Sequence, residues 1–141
     1  MKKSGLLLCA VLLSGCATLE RVAPELASPH GTHRVEFSLT PDQAIQARVL
    51  REGQIIVEAI DFGFDLKGAP DMGSGLRITD VRKRHIDETY PIVLGRGTEG
   101  RNHCKELILG LKEIAAPERE FELQVRAYEE GGAFRYAFPG K

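Results

Sequence analysis

From His33 onward the chain repeats with a period of two, and that alternation limits its fold more than any other feature. Val35, Phe37 and Leu39 alternate with Arg34, Glu36 and Ser38, and Ile45, Ala47 and Val49 alternate with Gln46 and Arg48. Side chains on a strand point to opposite faces in turn, so such a pattern predicts strands with one face buried. Ile55–Ile60 continues it beyond Glu52-Gly53, and a short piece follows around Phe62–Leu66. Leu76–Val81 and Ile92–Leu94 read as strands on either side of a polar stretch. Leu107, Leu109 and Leu111 mark one face of a long strand, and Phe121, Leu123, Val125 and Ala127 mark the next. Ala133–Phe138 closes the series, with Phe134, Tyr136 and Phe138 on one face. The connectors at Gly68–Gly75, Gly95–Gly100, Ala116–Arg119 and Glu130-Gly131-Gly132 carry the glycine and proline of turns. No helical stripe exceeds two turns. Many short strands joined by such turns predict an all-β protein, an antiparallel β-sandwich.

The N-terminus carries a different signal. Met1-Lys2-Lys3-Ser4-Gly5 precedes an apolar run, Leu6–Leu13, and then Ser14-Gly15-Cys16. A basic start, a short apolar stretch and small residues are the parts of a secretory signal. The run is far shorter than the about 20 residues a bilayer-spanning helix needs. Leu13-Ser14-Gly15-Cys16 resembles the lipobox of bacterial lipoproteins, in which the cysteine receives diacylglycerol. The expected organisation is therefore a signal peptide over 1–15, a lipidated tether over 16–32 with Cys16 as the lipidation site, and a β-domain over 33–141. More than one acyl chain holds a protein stably to a membrane, so the expected location is the cell envelope. Ala17, not Asp, follows the cysteine, which points to the outer membrane.

Loss of the signal removes Lys2 and Lys3 and makes the formal charge more negative than the −1 of the whole chain. Lys and Arg are dispersed, giving no basis for a nucleic-acid partner. Of three cysteines, Cys9 leaves with the signal and Cys16 takes the lipid. Cys104 is then alone, and a buried structural thiol is the expected reading. His30 and His33 fall in or beside the tether, while His85 and His103 stand apart in polar stretches, so no metal site is expected. Asp87-Glu88 and Glu129-Glu130 read as solvated acids in turns. The chain has no Gly-x-Ser-x-Gly elbow, no phosphate loop and no dinucleotide fingerprint. Tryptophan, the favoured platform for sugar stacking, is absent, and Tyr136 alternates with phenylalanines as a packing residue.

Several motifs carry a resemblance. Val125-Arg126-Ala127-Tyr128-Glu129-Glu130-Gly131-Gly132-Ala133-Phe134-Arg135-Tyr136 resembles the FRAYDDGVAFRY hairpin in the N-terminal domain of glycoside hydrolase family 97. Ser28-Pro29-His30-Gly31 is similar to that domain's SPDG, and Asp87-Glu88-Thr89-Tyr90 to its DETW. Arg101-Asn102-His103 with Glu106-Leu107 resembles its RNHYNEL. The motifs keep the family's order and about its spacing from Ser28 to Pro139. The resemblance implies an α-glucosidase or α-galactosidase lineage. In it, an N-terminal β-super-sandwich packs on a (β/α)₈ barrel, followed by a small C-terminal β-domain. It implies that the catalytic carboxylates lie in the barrel. Calcium is held by carboxylates at the barrel mouth, with the N-terminal region helping to complete the site. No position here matches a catalytic carboxylate or a calcium ligand, and the sequence covers only the front of the N-terminal region. Tyr90 replaces the tryptophan of DETW, and Cys104 the tyrosine after RNH.

Three roles remain open on the sequence. The first is a truncated or split α-glycosidase whose barrel is encoded separately. The second is a standalone lipoprotein that binds an α-glycan or a partner, with Arg101, Asn102 and His103 of a polar loop, Gly95–His103, as contact candidates. Their bracing of a hairpin and barrel interface is favoured over sugar contact. An independent hydrolase is the weakest of the three.

Overall fold

The computed structural model describes residues 24–93 and 97–140. The signal peptide, Cys16 and the tether over 16–23 lie outside the described residues. Eight strands follow one another: β1 (Glu25–Ala27), β2 (His33–Leu39), β3 (Ile45–Arg51), β4 (Gln54–Phe62), β5 (Leu76–Pro91), β6 (Glu99–Glu113), β7 (Glu120–Ala127) and β8 (Gly132–Ala137). They form two four-stranded sheets, ordered β1-β2-β3-β4 and β5-β6-β7-β8. Every strand pair is antiparallel. The all-β antiparallel sandwich expected from the alternation is present, and neither sheet closes into a barrel.

Local chemistry sets the reversals. Glu52 and Gly53 both have positive φ, 50° and 81°, between paired Arg51 and Gln54. This is the mirror-image two-residue turn whose twist matches antiparallel strands. The chain crosses between sheets over Gly63–Gly75, pinned where Phe64 and Met72 exchange backbone hydrogen bonds of 2.7 and 3.0 Å. Gly63 is required there: a Cβ would lie 2.9 Å from the carbonyl oxygen of Met72.

The core lies between the sheets. Leu26, Val35, Phe37, Ile45, Ala47 and Phe62 of the first sheet face Leu107, Leu109, Leu111, Phe121, Leu123, Val125 and Ala127 of the second. Tyr136 packs against this cluster as expected, its hydroxyl donating to the Gly63 carbonyl at 3.3 Å. Burial pushes its phenol pKa upward.

Some boundaries differ from the sequence reading. The tether does not extend to residue 32, because β1 already pairs Glu25–Ala27 with Arg34–Glu36. A three-residue edge strand is too short to show a period. The polar stretch after Val81 does not separate two strands: β5 runs unbroken to Pro91, while Ile92 and Val93 lie beyond it. Asp87 and Glu88 are therefore strand residues and not turn residues. Likewise β6 begins at Glu99, so Arg101, Asn102 and His103 belong to a strand and not to a loop. Where a hairpin outruns the opposing sheet both of its faces meet solvent, and no apolar face remains to mark it.

Candidate interaction site on the β5–β6 hairpin

The β5–β6 hairpin pairs fifteen positions, from Leu76↔Glu113 to Pro91↔Glu99. A single irregularity between Ile78 and Asp80 leaves Thr79 as an extra residue, so that Thr79 and Asp80 both lie against Gly110. Beyond Val81 most of β5 is exposed, and cross-strand polar pairs take over from packing.

The three contact candidates sit side by side on β6 but not on one surface. Arg101 and His103 lie on the face that continues from Leu107 and Leu109, and Asn102 points the other way. The Arg101 guanidinium grips Asp87 through two hydrogen bonds of 2.7 and 2.8 Å. This holds the Asp87 carboxyl below its ordinary pKa and raises that of Arg101. The Asn102 side-chain oxygen accepts from the Tyr128 hydroxyl at 3.2 Å. His103 meets His85 with ring centroids 5.1 Å apart, and His30 at 6.1 Å.

That histidine group escaped the sequence reading, which left His85 and His103 in separate stretches. Antiparallel register makes them diagonal neighbours, since Asp87 pairs with His103 and His85 with Lys105. His30 arrives from the β1–β2 loop, where its backbone N–H donates to Glu129 at 2.5 Å. That bond lowers the Glu129 pKa. Lys105 donates to the Pro29 carbonyl at 3.4 Å, tying the same loop to β6. Only the pairing of distant strand residues could have revealed this group. Among the described residues, no three His, Cys, Asp or Glu side chains are placed to hold a metal ion.

On the opposite face, Glu106 is fully buried. Arg84 and Arg126 flank it in register, one from each neighbouring strand. Arg126 Nε donates to Glu106 Oε1 at 2.8 Å, and Arg84 Nε donates to Oε2. Burial by itself would raise the Glu106 pKa, but the two guanidinium bonds and their charges outweigh it and lower it. Both arginines are held more firmly protonated in return. The arginine stems shield the carboxylate while their head groups stay partly in water. Cys104 is buried beside this cluster, its sulfur 3.8 Å from the Asn102 side-chain oxygen. The expected structural thiol is what the fold contains.

A sandwich with a polar, ion-paired hairpin is a scaffold on which many roles are built, so comparison with known proteins must decide the class. The model of the glycosyl-hydrolase 97 N-terminal family matches residues 26–141. The chain belongs to that family. It is 27% identical, over its whole length, to a retaining alpha-galactosidase of Bacteroides thetaiotaomicron, of which it covers 20%. Its fold superposes on a glycoside hydrolase family 97 enzyme from Pseudoalteromonas sp. strain K8, solved in complex with acarbose. That match has a TM-score of 0.77 at 15% identity and covers 84% of this chain and 18% of that one. A beta-arabinopyranosidase structure matches with a TM-score of 0.73 at 17% identity, over 84% of this chain and 18% of that one. The chain thus spans about a fifth of the length of these relatives.

Proposed function

We propose that this chain is the non-catalytic leading β-domain of an α-glycosidase of polysaccharide breakdown, held at the cell envelope by lipid on Cys16. The barrel that cleaves the glycosidic bond, with its carboxylates and calcium, is a separate module of the same enzyme, continuous with this chain or encoded apart. The observation that carries this reading is the family match over residues 26–141. The hairpin chemistry supports a bracing role: Arg101 is committed to Asp87, and Asn102 to Tyr128. The Asn102 amide also donates to Glu88 at 3.4 Å, so both side chains already hold partners within the hairpin.

Binding of an α-glycan without a catalytic partner ranks second, because the three candidate side chains point to both sides of one strand. Calorimetry with malto-oligosaccharides separates the two roles, with no heat at millimolar sugar expected. Nitrophenyl α-glucoside and α-galactoside should go unhydrolysed by this chain alone. Turnover abolished by one carboxylate substitution would overturn the proposal. Anchoring has its own test: radiolabelled palmitate should enter the wild-type protein and not Cys16→Ser, which should also leave the outer-membrane fraction. A label that persists in Cys16→Ser would remove the anchor from the reading.

A further inference from the structure

The first sheet ends at β1 and the second at β5. Along that flank a cavity of about 420 Å³ opens, with Glu25, Leu26 and Ala27 on one wall and Lys83, His85 and Lys105 on the other. Its volume falls in the range of about 300–1,000 Å³ that suits a small-molecule ligand.

Two kinds of hydrogen-bond donor meet in this cavity. Lys83 and His85 lie two apart on one face of β5, and Lys105 pairs with His85 from β6. Among the described residues neither lysine forms an ion pair. Lys105 donates to the Pro29 carbonyl at 3.4 Å, and an ammonium has three hydrogens to give. The carboxylate on the facing wall, Glu25, is engaged by Arg34 at 3.8 Å. Arg84 also borders the cavity, but its guanidinium is spent on Glu106 on the other face of the hairpin. The second kind of donor is backbone. Phe37 N–H donates to the Pro24 carbonyl, and Ser28 N–H to that of His33, so β1 bonds to β2 through its even-numbered positions. The N–H groups of Glu25 and Ala27 therefore point to the free edge of β1, into the cavity.

Charge decides what such a site takes. His85, with the His103 ring 5.1 Å away, would by itself suit a borderline metal ion. A dication would meet two ammonium groups at the same wall, and Asp87, the acid on that face of β5, is committed to Arg101. An oxyanion gains from the same charges, and its several oxygens can accept from both lysines and from the edge N–H groups at once. A bare ion would leave most of the cavity empty.

We propose that the β1–β5 flank binds a phosphate or sulfate ester. Lys83 and Lys105 hold the oxyanion, the N–H groups of Glu25 and Ala27 complete its shell, and the organic group fills the cavity beside His85.

Calorimetry and amide-resolved NMR on the full chain test it. The probes are inorganic phosphate, phenyl phosphate as a soluble monoester, and glycerophosphoglycerol as a lipid headgroup. Phenyl phosphate should saturate one site and bind about tenfold more tightly than inorganic phosphate. Lys83→Ala and Lys105→Ala should each weaken it by about tenfold, the loss of one charge-assisted hydrogen bond. The Glu25 and Ala27 amide signals should move on titration. Lys67→Ala, on the crossing between the sheets, should change nothing. Circular dichroism checks folding, and either lysine variant suffices if the other fails to fold. Headgroup binding equal to that of phenyl phosphate assigns the site to a lipid, and binding about tenfold weaker assigns it to a soluble ester. If the lysines serve only to guard the edge of β1, neither ester saturates and the proposal falls. It falls equally if binding is indifferent to both lysine variants, or if zinc binds and is lost in His85→Ala while phosphate esters do not bind.

Discussion

The β5–β6 hairpin contains two different kinds of β-structure in one continuous ladder. Its proximal half, where Leu76 and Ile78 pair with Glu113 and Leu111, is built into the sandwich. Its distal half, Asp87–Pro91 against Glu99–His103, is exposed on β5 and is held by Asp87–Arg101, by Asn102–Tyr128 and by the tilted contact of His103 with His85. Hydrogen-bond geometry is shared. The source of stability is not: in one half it is apolar area removed from water, in the other cross-strand polar pairing in solvent. Substitutions should therefore cost much in the first and little in the second.

The largest loss is expected in the proximal core. Phe121, paired with Leu111, is 2% exposed and packs on Phe64 and Tyr136. Phe121→Ala should cost about 3–5 kcal/mol of unfolding free energy in urea titration, through lost transfer energy and a residual cavity. A cost no larger than that of a distal substitution would break the comparison.

Glu106 stands at the junction, buried yet charged. Glu106→Ala should cost about 2 kcal/mol, less than the roughly 3–5 for leaving a fully buried charge unpaired. The two arginines left behind can turn their head groups to water. Because the folded-state pKa lies below its ordinary 4.5, this contribution is complete above that value. It is lost as pH falls through the lower folded value. The urea midpoint of wild type should fall on acidification below about 4.5, and Glu106→Gln should flatten part of that fall. An unchanged slope in Glu106→Gln would assign the acid sensitivity to other carboxylates.

Two glycines sharpen the contrast within one strand. A Cβ on Gly110 would lie 3.0 Å from Thr79 Oγ1 and 3.1 Å from Asp80 Cβ, at the irregularity in the packed half. Gly110→Ala should cost about 1–2 kcal/mol by forcing the strands apart. On Gly100 a Cβ would come within 2.6 Å of the Tyr90 ring, a closer clash on paper. Tyr90 is mostly exposed and can swing aside. Gly100→Ala should therefore shift the thermal midpoint less than Gly110→Ala, although its distance is shorter. The reverse order would show that the distal half is as rigid as the proximal one.

The same division explains what could be read in the sequence. Phe37, Ile45, Leu109 and Leu123 were identifiable as core because a sandwich buries one face of each strand, and that face is written at every second residue. The run from Arg82 to Thr89 was read as a break because, Ile86 apart, its side chains are polar and exposed, and no apolar alternation marks it. β1 is three residues long, too few to show a period. The histidine group depends on register between residues eighteen apart in sequence, His85 and His103. The Glu106 cluster depends on three strands together. Spacing along one chain carries neither. Family motifs did mark both places, since RNH and the following Glu-Leu fall on β6, but motifs mark a place without stating its contacts.

The smallest effect should come from the best-formed ion pair on the distal half. Asp87 and Arg101 make a two-pronged contact of good geometry, yet both are largely exposed. In water the attraction is screened, and the order imposed on two long side chains offsets most of what remains. Asp87→Ala and Arg101→Ala should each leave the urea midpoint within error of wild type. Their double variant should match the sum of the singles, measured at low and at high salt. A coupling between them that vanishes at high salt would make the distal half a region stabilised by charge. Coupling that survives salt would mean that the far end of the hairpin is shielded from solvent, and the division drawn through β5 and β6 would have to move toward its tip.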